Sequence, residues 1–566
     1  MIRKTLSREG WPALWEAEFP PPLVLRGRPE VGARLSSGAA CPHLDPPPEY
    51  QGRREERSSP NCGRTLSRRA LRTLATIVCV VTFCFGSSRA ADHFLVIGGG
   101  HSPENNQVSL EQNVLFFRDA LATLKLNNSP QEVLFADGND NQRDVQYTPD
   151  TGDAPKVEQL LDDVFPPPEA ASERYRPHHI PNVWGPAQHA ALERWFDTVG
   201  RSLPDGDRLI IYYTGHGGPG KPSQNTTLAM WNESSLSVRS FVALLDRLPP
   251  KVSVVLIMVQ CFSGGFADVI YDKGDASRGL SPRNRCGFFA TTFDRTAAGC
   301  TPDIMLDDYR EYSTYFWAAL CGHTRTGKAV EEPDFLGDGR IGMSEAHAYT
   351  MIHSETVDIP VKTSDTFLRQ FSRLEANGAE GLVSPDMPYD RLCALARPCD
   401  RAVLNGLSEV LHLSGPDRVP TAQQMADTLQ RNHDDLENRR QKVERAVQLS
   451  RRTTEQIVLN RWPMLSDRST ALAQRTIAMQ EGEIEAMLDS SLSYERLRKH
   501  IDESDKLDDD ADAAERSWVK CRRFINTAES VALAANLPSV APKEIQERYH
   551  QLIVAEDAAL APAEHH

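Results

Sequence analysis

Two short polar blocks carry residue types suited to acyl-transfer chemistry, and each follows an apolar run. The run 209–213 leads into Thr214-Gly215-His216-Gly217-Gly218. The run 252–259 leads into Gln260-Cys261-Phe262-Ser263-Gly264-Gly265. A cysteine thiolate is a strong nucleophile, and a histidine beside it can take and return a proton near neutrality. Gly217 has no side chain to keep a substrate backbone away, and the Gly217 and Cys261 amides can point at one developing oxyanion. Singly, each block is bland. A cysteine is most often a small buried hydrophobe, and a histidine between glycines often only turns a loop. At the ends of consecutive strands of one sheet, the pair would form a nucleophile, an acid/base and an oxyanion pocket.

The surrounding pattern supplies such a sheet. Phe94-Leu95-Val96-Ile97 reads as a strand stopped by Gly98-Gly99-Gly100, and Glu132-Val133-Leu134-Phe135 as a second, closed by Asp137-Gly138-Asn139-Asp140. Between them Val114, Phe117, Leu121 and Leu124 recur at helical spacing. Further helices are expected around 187–199, 237–248, 313–321 and 344–354, with a further strand at 287–292. Alternating helices and nearly continuous apolar strands imply an α/β domain over 92–360, with a parallel sheet covered on both faces. In such sheets ligands gather beyond the carboxyl ends of the strands, where both blocks lie.

With these blocks the chain resembles the caspase-like (clan CD) cysteine peptidases. The segment Ala290-Thr291-Thr292-Phe293-Asp294-Arg295-Thr296-Ala297-Ala298-Gly299-Cys300 looks most like the legumain-like members. The resemblance covers 92–360 and implies a caspase-like three-layer sandwich. It also implies an endopeptidase using Cys261 and His216 on a protein or peptide substrate, with Gly217 and Cys261 amides at the oxyanion and no metal or organic cofactor. The chain departs from the family at the specificity pocket. Val259 stands two positions before the cysteine, where several relatives carry an acidic or polar residue. His101-Ser102-Pro103-Glu104-Asn105-Asn106-Gln107 replaces the Arg-His pair of the first loop. Asn106, Gln107, Val259 and Asp294 are the pocket candidates, and no P1 residue is assigned. Two alternatives stay open: a transpeptidase or ligase using the same acyl-enzyme, and a non-catalytic binding module on the same fold.

The rest of the chain is uneven. Its 566 residues carry a net charge of −15, which argues against a nucleic-acid binder with a basic footprint. Residues 1–65, with two Pro-Pro-Pro runs and many arginines, read as disordered and as upstream of the true start. Residues 66–91 have the charged, apolar and small-residue order of a secretory signal, so a secreted or periplasmic protein is expected, touching membrane only during export. Beyond residue 91 the net charge is −21 and seven cysteines remain, enough for at most three disulfides. Cys261 is expected to stay free, and Cys393 is a candidate partner for Cys399. The stretch 334–345 resembles an EF-hand loop but has Leu336 at its third position, so a glycine-turned loop capping a helix is preferred to a calcium site. From 366 to 566 the pattern is helical without visible chemistry. Leu429, Leu436 and Val443 recur every seven residues, but intervening Asn432 and Arg439 favour a bundle face over a long coiled coil, and a protein partner is expected for the region.

Overall fold

The computed structural model describes residues 91–149, 154–167, 173–305, 309–331, 333–374 and 381–561. The expected leader and the apolar run of the export signal lie outside them. Strands form where apolar runs required them: β1 (Asp92–Gly99), β2 (Gln131–Phe135), β5 (Arg208–Gly215), β9 (Ser253–Met258) and β10 (Arg285–Phe289) are mutually parallel. The short β11 (Val361–Lys362) closes one edge antiparallel, giving the order β11-β10-β9-β5-β1-β2. Two small sheets flank it: β3 (Val145–Tyr147) with β4 (Arg174–Arg176), and β6 (Gly217–Gly218) with β7 (Thr227–Met230) and β8 (Ser234–Ser237).

Side-chain alternation divides the sheet's residues between two cores. Phe94, Val96, Ile210, Tyr212, Val255, Ile257 and Phe288 meet Val114 and Phe117 of α1 (Val108–Thr123), with Phe316 and Trp317 of another helix, Tyr312–Cys321. Leu95, Ile97, Leu209, Ile211, Tyr213, Leu256 and Met258 face a second core, built with Trp195 and Phe196 of the helix His189–Thr198 and Phe241 of the helix Val238–Leu245. With both faces covered, neither side of the parallel strands is left to water.

The helical C-terminal region is present, but it is not an appendage. The expected boundary near 360–366 falls at β11, and Leu533, Leu537 and Leu552 from far along the chain pack into the first core. In return, Val157, Leu161 and Val164 of the helix Lys156–Val164 pack with Val447, Ile477, Ile484 and Leu497. All described residues belong to one compact unit. Two very long helices, Arg418–Arg461 and Leu492–Val540, run antiparallel: Ala426 clusters with Phe524, Leu436 with Leu507, and Val447 with Leu497. The heptad of Leu429, Leu436 and Val443 runs along this pairing: Leu436 and Val443 meet only the facing long helix in one cluster, while Leu429 and Val443 also join clusters with shorter helices at either end, so the expected bundle face holds there. Ala511 and Ala514 on the facing helix allow close approach where the sequence offers few large apolar residues.

The loop before the helix Met343–His353 binds its own amides. Asp334 accepts from Gly337, Asp338 and Gly339, while Glu345 accepts from Leu336 and Gly342. That is a capping arrangement, with the carboxylates directed at backbone N–H groups. All seven described cysteines are free thiols, so the candidate pair of Cys393 with Cys399 is not joined. Among the described residues, no helix is long and apolar enough to cross a membrane.

Candidate active site

Parallel pairing of β5 with β9 brings the two blocks together. Tyr213 and Met258 are the last registered pair, and Val259 N–H still donates to Tyr213 O at 3.2 Å. His216 and Cys261 each lie three residues beyond that pair, at the carboxyl rim of the sheet. Gly217 is where the loops touch: a Cβ there would stand 2.3 Å from Cys261 O and 2.5 Å from Gln260 Cγ. Ala229 N–H donates to His216 O at 2.8 Å, which makes Gly217 and its partner Leu228 a non-hydrogen-bonded pair of the β6–β7 ladder. The Gly217 amide is thus left outside that ladder, as an oxyanion donor requires.

After Cys261 the chain turns sharply. Phe262 adopts the left-handed conformation (φ 61°, ψ 16°), a strain of roughly 1 kcal/mol for a residue with a Cβ. Local bonds sustain it. Phe262 N–H donates to Arg295 O at 2.8 Å, Ser263 N–H to Gln260 O at 3.2 Å, and Thr291 N–H to Ser263 Oγ at 3.1 Å. The 290–298 segment is thereby bound to the cysteine loop. Its last turn also reaches the sulfur, since Ala297 N–H donates to Cys261 Sγ at 3.4 Å.

His216 Nε2 lies 2.9 Å from Asn105 O and 3.1 Å from Gln107 Oε1. Both are acceptors, so Nε2 carries the proton and Nδ1 of the neutral ring keeps its lone pair. Burial pushes the His216 pKa down. The Asn105 carbonyl works against that, and His101, whose ring stands edge-on at 6.1 Å, adds to it. Burial pushes the Cys261 thiol up; the Ala297 N–H opposes the rise and the charge of Asp358 reinforces it. Both shifts favour the uncharged forms, a thiol at Cys261 and a neutral imidazole at His216.

The pocket candidates part company. Gln107 is at the site, as a partner of His216 Nε2. Asn106 is fully buried, and its amide is committed to the loop: Oδ1 accepts from Gly100 N–H at 3.1 Å and Nδ2 donates to Asp144 O at 2.8 Å. Val259 is buried in the first core. Asp294 is exposed and accepts from the Thr292 hydroxyl at 2.7 Å. Asn106→Ala would strip two buried partners from the turn that carries Asn105 and Gln107. A loss of about 3 kcal/mol in unfolding free energy is expected in urea titrations.

Other supporting residues escaped the sequence reading. Asn113 of α1 donates to the buried Thr214 hydroxyl at 2.9 Å, and Arg325 donates to Asn113 Oδ1 at 2.7 Å, bracing the strand end beside His216. Asn113 lies within the apolar helix pattern, and a buried amide at such a position was the available signal. Asp358 had none: it acts from a distant loop, where Oδ1 accepts from Ala298 N–H at 2.7 Å. Among the described residues, no group of three or more His, Cys, Asp or Glu side chains is arranged to hold a metal ion.

No family model matches the chain, and no curated protein matches it. Among solved structures, a structural-genomics protein of Geobacter sulfurreducens aligns at 10% identity over 48% of this chain and 92% of its own, with a TM-score of 0.27. That likeness is too low to bear on fold or function.

Proposed function

We propose that this chain is a caspase-like cysteine endopeptidase, legumain-like in its cysteine and histidine loops, which cleaves peptide bonds through a thioester. One observation carries the reading: His216 and Cys261 end adjoining parallel strands, with Gly217 wedged against the Cys261 backbone where no side chain fits. In the first step Cys261 Sγ attacks the scissile carbonyl carbon while its proton passes to His216 Nδ1. The Gly217 and Cys261 amides receive the oxyanion, a donor contribution of about 3 kcal/mol each at the transition state. The carbon–nitrogen bond then breaks, and His216 gives the proton to the leaving amine. Water attacks the thioester with His216 again as base, releasing the carboxylic acid and restoring the thiol. Asn105 O and Gln107 Oε1 hold the ring through Nε2–H, so each transfer occurs at Nδ1. Export to an extracellular or periplasmic space belongs to the same proposal, on the signal-like stretch alone.

A peptide library varied at P1, incubated with the full chain and with Cys261→Ala, tests the activity and reads the pocket. Cleavage focused on one P1 class and absent from Cys261→Ala is expected. Undiminished cleavage by Cys261→Ala contradicts the mechanism. Product analysis with an added amine separates hydrolysis from transpeptidation through the same thioester.

A further inference from the structure

The long helix Leu492–Val540, α12 in chain order, lies far from Cys261 in sequence but is bound to both segments that hold it. Arg523, fully buried, is a charged residue inside the protein, and among the described residues no carboxylate is hydrogen-bonded to its guanidinium. Its donors go to backbone carbonyls at the end of the helix Met343–His353 and in the loop after it: Asp358 O at 2.8 Å, Ser354 O at 2.8 Å, Thr356 O at 2.9 Å and Met351 O at 3.2 Å. Four carbonyls gathered on one planar cation fix the path of that loop. They also fix Asp358, whose Oδ1 accepts from Ala298 N–H and whose Oδ2 accepts from the Thr356 hydroxyl at 2.9 Å. The neighbouring amide, Ala297 N–H, is the donor to Cys261 Sγ.

A second connection runs in parallel. Two turns before Arg523, Glu515 pairs with Arg295 at 3.0 Å, and the Arg295 guanidinium lies over the Trp518 ring at 5.0 Å. The carbonyl of that same Arg295 accepts from Phe262 N–H and so sustains the left-handed turn after the cysteine. A helix serving only as packing would not need both a buried arginine and an ion pair directed at the two strands of chain beside one sulfur.

We propose that α12 is a positioning element of the active site: Arg523 acting through Asp358 and Ala298, and Glu515 acting through Arg295, hold the Ala297 amide and the Phe262 turn against Cys261. The proposal deepens the reading of Cys261 as nucleophile and rests on it. It gives the C-terminal region a part in setting thiol reactivity, in addition to any partner it binds.

Among the described residues, the charged and titratable groups that act on Cys261 are Tyr213, Cys300 and Asp358, and Arg523 and Glu311 act on Asp358 in turn; His216 follows the adjoining strand. Weakening the hold of α12 should draw the Ala297 N–H away from the sulfur. The thiolate then loses a donor, and the Cys261 pKa rises further.

The test is the pH dependence of iodoacetamide alkylation at Cys261 in the full chain, followed by mass spectrometry of its peptide. Glu515→Arg should move the alkylation midpoint up by about one unit and slow the reaction near neutral pH about tenfold. Adding Arg295→Glu, which restores the pair with its charges exchanged, should return both to within about twofold. Trp518→Ala should shift the midpoint in the same direction by a smaller amount. Where peptide turnover is measured, kcat should fall while KM stays within about twofold. Variants that unfold at the wild-type midpoint and alkylate with the wild-type profile would overturn the proposal, as would a double variant no better than Glu515→Arg. Alkylation requires no peptide turnover, so a chain that cleaves nothing yet shows these shifts would refute the peptidase and leave the coupling standing.

Discussion

Gly217→Ala is expected to lower kcat/KM at least 100-fold while the protein stays folded. The new methyl would stand 2.3 Å from Cys261 O, and 3.1 Å from Thr227 O on the other side. Both neighbours are backbone, which no rotamer change can move, so one of the two loops must shift. A displacement near 1 Å at reacting groups costs on the order of 100-fold in rate. The same shift would carry the Gly217 amide away from the oxyanion position, removing a donor as well. Because β6 lies at the rim of the sheet, the loss should appear in kcat with thermal unfolding little changed. Activity within a few-fold of wild type would mean that the two loops are not joined at Gly217.

His216→Ala should reduce kcat about 1000-fold and abolish the acid limb of the pH–rate profile. In the unmodified protein, catalysis requires the imidazole to be neutral, so activity falls as pH drops through the His216 pKa. Burial holds that pKa below the usual 6.5, which places the acid limb on the acidic side of an ordinary histidine. The thiol is held above its usual 9.0, so the alkaline limb lies beyond it. Loss of the acid limb in His216→Ala, read in kinetics across pH 5–10, assigns that limb to the imidazole; an acid limb that survives the substitution contradicts the assignment.

The strands were legible because their apolar runs are nearly unbroken, and their parallel reading made β5 and β9 neighbours, while the pairing of Tyr213 with Met258 is seen only in the fold. The run at 287–292 was read too long. Thr291 bonds to the Ser263 side chain instead of a neighbouring strand, which ends β10 at Phe289. Gln107 was legible as a site residue but not in its role, because only the folded loop shows that its carbonyl meets His216 Nε2. What the helical region 366–566 packs against was not legible, for a physical reason. Leu533, Leu537 and Leu552 show in sequence that their helices have apolar faces, and nothing local tells which distant surface those faces cover. Arg523 was the least legible of all. In a charged, alanine-rich helix an arginine reads as solvated, and its burial depends on carbonyls more than 160 positions earlier in the chain.

The central claim is that Cys261 is a nucleophile activated by His216. The most direct measurement is covalent labelling of the folded full chain with a peptide bearing a thiol-reactive Michael acceptor, mapped by mass spectrometry. The predicted result is a single adduct on Cys261, formed faster than on any other cysteine and suppressed both in His216→Ala and after unfolding. Labelling spread over the cysteines according to their exposure, or labelling of Cys261 that is indifferent to His216→Ala, would contradict it.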